Sequence, residues 1–219
     1  MGFRLGPASP GGSGWASAAE ITRGKEVGIM GNAQPVAKSV SSLGGLCERA
    51  KLGEDARALL KVEHTPRQFL ELLIAKELFL DAIRFLAYAL PKREAVGWGC
   101  LCVRHSLGTE DAAKISETQV AVEKWVSNPD EGNRRAAQAA ADKEGSESPS
   151  ALLAMAAFFS GGSIAPANLQ PVAPPDHVTP QFVAGAVMVS AVKSQPERAV
   201  EKYRVFLQKG VALMARMKA

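Results

Sequence analysis

The sequence predicts an all-α fold, a compact helical bundle or a short irregular α-solenoid of about seven to nine helices, preceded by a disordered N-terminal tail. Three observations carry this. From Leu46 onward, apolar residues recur at helical spacing. The periodic stretches open on Thr, Ser, Asn or Pro and close on Gly. No segment sustains the apolar–polar alternation of a strand.

Residues 1 to 42 are rich in Gly, Ser, Pro and Ala, as in GPASPGGSGWASAA, and have no period. Such a segment buries too little apolar surface to offset its ordering entropy, so a flexible tail is expected. Trp15 within it is a short docking peptide or, more simply, a stray aromatic in a linker. Residues 43–219 read as one helical domain.

Its first helix is expected over Leu46–Leu60, weakened by Gly53. The next start is Thr65, with Pro66 at the first helical position and Gln68 completing a capping box. From there the apolar pattern continues to Leu90, as one long helix or as two separated at Lys76-Glu77. Its second half leaves a polar stripe, Glu77, Asp81, Arg84 and Tyr88. Pro91 is expected to open the following helix, which Gly108 ends. Thr109-Glu110-Asp111 then opens another, with Ala112, Ile115, Val122, Trp125 and Val126 facing inward.

Asn128-Pro129-Asp130-Glu131 reads as the next cap, before an alanine-rich helix that ends near Gly145. Ser148-Pro149-Ser150 leads into ALLAMAAFF, stopped by Gly161-Gly162. The four prolines of residues 164–178 mark an extended linker or a surface-hugging loop. Two helices close the chain, one capped by Thr179 and one starting at Pro196. TPRQF and TPQF, at Thr65 and Thr179, share a capping grammar, and the segments after them align at no fixed period.

Hydrophobic content of 47% with 22% charged residues allows a sizeable core. Three cysteines, an odd and sparse set, do not make a disulfide framework and point to a reducing compartment. No signal peptide or bilayer-length apolar run is visible, so a cytoplasmic location is expected. The net charge of +4 comes from 26 basic and 22 acidic residues that are interspersed, which argues against nucleic-acid binding.

GWGCLCVRH, from Gly97 to His105, is the most tempting site for chemistry. On a helix, Cys100 and Cys102 point about 200° apart, and only Cys102 and His105 share a face. A structural zinc site needs four ligands, and Cys47, His64 and His177 supply no second pair. Two buried cysteines acting as small hydrophobes are the expected reading, with Gly97 and Gly99 allowing close helix approach. No catalytic signature surrounds a cysteine, no acidic pair suggests acid–base work, and Gly161-Gly162-Ser163 is too short for a phosphate loop. No metal and no cofactor is expected.

Arg198, Lys202, Lys209 and Arg216 fall on one line of the last helix. They form either a partner-facing basic face or a solvated side diluted by Glu197 and Glu201.

The block TPRQFLELLIAKELFLDAIRFLAYALPKREAVGWGCLC resembles a family of functionally uncharacterised, alanine-rich, all-helical bacterial proteins. These share a TP-x-x-F/Y-L-x-L-L start, a D-A-x-R-F-L-A-x-A-L-P-x-R-E-A core and a W-x-C-L-C segment. The similarity extends to NPDEGNRRAA at Asn128–Ala137, FFSGGS at Phe158–Ser163 and TPQFVAGAV, covering roughly residues 60 to 210. It implies no known activity. It raises the expectation that Asp81 and Arg84, with Arg93 and Glu94 nearby, form a polar cluster fixing the helix hairpin or, alternatively, a ligand site. The function expected is protein binding, as an adaptor, chaperone or assembly factor, with a bacterial secretion apparatus as one candidate setting. Enzymatic or small-molecule-binding use of the polar cluster is the alternative, and weak nucleic-acid binding the third. Homo-oligomerisation is compatible with all three.

Overall fold

Thr65 builds a complete capping box: its Oγ1 accepts from the Gln68 N–H at 3.2 Å and its own N–H donates to Gln68 Oε1 at 2.9 Å. The computed structural model describes residues 43–107, 115–145, 147–166 and 168–217, all within one compact unit. The described residues form ten α-helices and no strand. In chain order these are α1 (Leu43–Arg49), α2 (Glu54–Ala58), α3 (Pro66–Ala75), α4 (Phe79–Ala89) and α5 (Lys92–Leu107). They are followed by α6 (Glu117–Ser127), α7 (Glu131–Glu144), α8 (Pro149–Phe158), α9 (Val178–Val192) and α10 (Ala199–Arg216).

Several starts differ from those predicted, each for a local reason. The single helix expected over 46–60 is two, because Lys51 takes a left-handed φ of 51° and ends α1. The Lys76-Glu77 step does separate two helices, with Glu77 at φ 60°. Pro91 sits just before α5, its carbonyl accepting from Ala95 N–H, so the helix starts one residue late. The cap of α7 is Asp130, whose carboxylate accepts from Asn133 N–H at 2.7 Å; Asn128 instead ends α6. Gly108 and the start at Thr109, like the tail with Trp15, lie outside the described residues, and α6 begins behind Ser116.

Thr179 is not a cap. It lies inside α9, fully buried, and donates its hydroxyl to the Ala156 carbonyl of α8 at 3.2 Å. The two TP starts therefore play unrelated structural roles.

α8 is the central element. Eight of its ten residues are buried, and α5, α6, α7 and α9 surround it. Contacts of α5 with α9, and of α10 with α3, α4 and α5, join helices remote in sequence, which makes a bundle rather than a solenoid. The core is built on Trp98, Phe69, Phe85, Phe206, Leu70, Leu73, Ile83, Leu86 and Leu153. Trp98 Nε1 donates to the Phe206 carbonyl at 2.8 Å, so its one polar atom is satisfied inside that core. Gly97 lies against Val126 of α6, and a Cβ at Gly99 would strike Leu153. Only glycine lets α5 approach α8 this closely, the role expected for GWG.

The proline-rich segment between α8 and α9 hugs the surface. Ile164 N–H donates to the Val172 carbonyl at 2.9 Å, and Ser163 Oγ accepts from the N–H groups of Ala165 and Val172. Among the described residues, no helix is long and apolar enough to cross a membrane.

Candidate functional site

The sequence-predicted residues separate into several structural roles. Asp81 accepts from Gly53 N–H at 3.0 Å and pairs with Arg84 at 3.4 Å, which ties the α1–α2 connection to α4. Arg93 turns elsewhere: Nε donates to the Val126 carbonyl at 2.7 Å and Nη2 to the Ser127 carbonyl at 3.3 Å, closing the end of α6. Glu94 is half-buried in the first turn of α5. Asp81 and Arg84 thus act together at the hairpin, while Arg93 serves a different helix end.

The line on the last helix is not one basic face. Lys202 is buried, and its Nζ donates to the carbonyls of Ala191 (3.1 Å), Ser194 and Gln195 (3.5 Å). It closes the C-terminus of α9, where a cation also meets the negative end of the helix dipole. Arg198 lies in a 3-10 turn before α10 and pairs with Glu201 at 2.9 Å. Lys209 is half-buried and Arg216 exposed.

Cys47, Cys100 and Cys102 are all buried. Burial pushes the Cys100 thiol up to about 12 and the Cys102 thiol well above its ordinary value. His105 packs edge-on against Phe206, and burial together with Lys209, Lys202 and Arg198 holds its protonation below the usual range. Among the described residues, no group of three or more His, Cys, Asp or Glu side chains could hold a metal ion.

A second polar centre escaped the sequence reading. Arg134 is buried at 4% exposure and bonds the carbonyls of Phe158 and Ser163 and the carboxylate of Glu131. Arg135 donates to Ser163 and Ala165 carbonyls at 2.7 and 2.9 Å, and both guanidinium groups lie over the Phe158 ring. The arginines hold Glu131 down to about 2. Gly162, at φ 66°, would carry a Cβ 3.0 Å from Arg134 and Glu131. The NRRAA and FFSGGS segments are therefore two halves of one clamp on the end of α8. Its bonds run to backbone carbonyls and to Glu131, so it serves the fold.

The open chemistry lies on another side. A cleft of about 510 Å³ is lined by Arg49 at the end of α1 and Lys51 beyond it, Tyr88 and Leu90 at the end of α4, Lys92, and Asp176, His177 and Thr179 to Gln181 at the entry to α9. A second cleft of about 390 Å³ shares Lys51, Tyr88 and Gln181 and continues past Arg84 to Ala184, Gly185 and Met188. Together they form one groove along α9. Its floor is apolar, through Ala87, Leu90, Pro180, Ala184 and Met188. Among the described residues four basic ones line it, Arg49, Lys51, Arg84 and Lys92, against one acid, Asp176, which Lys92 engages at 3.0 Å and thereby lowers. Tyr88 donates to the His177 carbonyl at 3.4 Å, and burial raises its phenol against a bond from Gln181 and the charge of Arg49.

Arg84 and Tyr88 belong to the polar stripe read from the sequence, and that stripe was the available signal for the groove. Nothing local marks Lys51, Lys92 or Gln181 as their neighbours. No curated protein and no solved structure matches the chain. The helical core from Phe69 to Met214, including both segments of the arginine clamp and most of the groove, is matched as a unit, and the chain belongs to DUF6931, a family of unknown function.

Proposed function

We propose that the protein is a non-catalytic protein-binding module that engages its partner along the groove between α4 and α9. The groove's make-up carries this reading: an apolar floor under a rim of Arg49, Lys51, Arg84 and Lys92, open to solvent along its length. Docking surfaces combine these features, a desolvated apolar centre and a polar edge that sets orientation. Catalysis would need an acid, base or nucleophile tuned to its task. The groove offers an exposed carboxylate held ionised by Lys92 and a phenol raised by burial, neither suited to proton transfer near neutral pH, and its described lining gives the exposed His177 imidazole no serine or cysteine to activate.

The test is affinity purification of the tagged full chain from its native cells, comparing wild type with Gln181→Trp. Gln181 is exposed on α9, so the indole fills the groove without disturbing the core. Partners that co-purify with wild type and vanish with Gln181→Trp support the reading. An identical set with both proteins, or none with either, rejects it.

A further inference from the structure

We infer that the occupant of the groove is an acidic, extended peptide segment of the partner, carrying one or two apolar side chains; this rests on the protein-binding reading above. Length comes first. From His177 to Met188 the groove follows about three turns of α9, roughly 16 Å at 1.5 Å per residue. That spans roughly five residues of extended chain at about 3.3 Å each. A small molecule would fill the larger cleft and leave the stretch beyond Gln181 empty.

Charge decides the rest. Lys51 is exposed, held at a left-handed φ at the end of α1, and its side chain has no ion-pair partner among the described residues. Arg84 is 42% exposed and its link to Asp81, at 3.4 Å, is long. Lys92 already bonds a carboxylate, that of Asp176, which is fully exposed and shows where a partner's carboxylate would sit. A second copy of this chain would bring like charges face to face, which a two-fold contact cannot relieve. The chain's own residues 1–42 carry four basic residues, Arg4, Arg23, Lys25 and Lys38, against Glu20 and Glu26, and suit the groove no better. Single-stranded nucleic acid would need a row of aromatic platforms for its bases, and among the described residues the groove is lined by two rings, Tyr88 and the exposed His177, at one end. Ala184, Met188 and Leu90 instead offer the apolar floor that a peptide side chain fills.

A random-peptide phage library selected on the immobilised full-length protein tests this. Enriched peptides should carry several Asp or Glu with one or two large apolar residues. Their recovery should fall about tenfold on Lys51→Glu and again on Lys92→Glu, and decline with added salt. Both positions are on the surface, and circular dichroism confirms that each variant is folded. Enriched peptides without acidic residues overturn the inference, as do acidic peptides retained equally by both variants, or an absence of enrichment. Loss of cellular partners on Gln181→Trp is read separately, so a partner set that depends on the groove without acidic selection keeps the protein-binding reading and rejects the acidic segment.

Discussion

Lys202 and Glu131 show how differently charged side chains are used at the scale of single residues. Lys202 lies on a helix with a solvated side, yet its ammonium is buried among three carbonyls at the end of α9. Replacing it with Met keeps the apolar stem and removes every donor, taking the ammonium away from the carbonyl of the buried Ala191 and from the end of α9. Such a loss costs about 1–3 kcal/mol. Lys202→Met should therefore lower the urea midpoint with an unchanged slope, whereas Arg216→Met, at an exposed position, should leave the midpoint in place. Equal midpoints for both variants would show that the capping bonds contribute nothing. Glu131 is exposed, and its carboxyl is held at about 2 by hydrogen bonds from Arg134 and then Arg135. A folded value below the unfolded 4.5 means the stabilisation is complete above about pH 4.5 and is lost as pH falls toward 2. Glu131→Gln should flatten that part of the stability–pH curve relative to wild type, as followed by thermal unfolding between pH 2 and 6. Parallel curves would count against the clamp as its cause.

Between elements, polar atoms set positions and apolar residues supply adhesion. Thr179 joins α9 to α8, Trp98 joins α5 to α10, and Arg93 closes α6 from the start of α5. Ser150, Gln119, Glu123 and Arg104 make a continuous polar chain between α8, α6 and α5. The groove owes its shape to the same fixing. Asp81 anchors the backbone at Gly53, which holds the end of α1 and so Lys51 beside α4. The Lys92–Asp176 pair holds the last residues of the proline-rich segment at its far end.

For the molecule as a whole, the buried cysteines act as reporters of global order. Cys100 and Cys102 sit inside the bundle with thiols shifted strongly upward by burial, so neither offers a thiolate near neutral pH. Labelling with a thiol reagent at pH 7.5 should be slow in the native protein and should accelerate in step with unfolding as urea is added. Rapid native labelling at Cys100 or Cys102 would mean that the packing around α5 opens locally.

What the sequence determined by itself is what depends on neighbours a few residues away. Helical spacing, the Thr65 capping box, the Gly145 and Gly161-Gly162 ends, and the opposite faces of Cys100 and Cys102 are all local, and the all-α class follows from their sum, whereas the break at Lys76-Glu77 was one of two alternatives until the structure decided it. The resemblance to an uncharacterised family was also legible, although not that NRRAA and FFSGGS meet. Tertiary structure alone decided the remainder, because a side chain's role depends on which carbonyls and charges the fold brings to it. Lys202 looked like surface until α9 ended beside it, Thr179 looked like a cap until α8 received its hydroxyl, and Arg93 looked like a neighbour of Asp81 until the end of α6 claimed it. The groove is the extreme case: Lys51, Tyr88, Lys92 and Gln181 come from four separate segments, and only the packing of α4 and α5 against α9, with α1 on α4, makes them one surface.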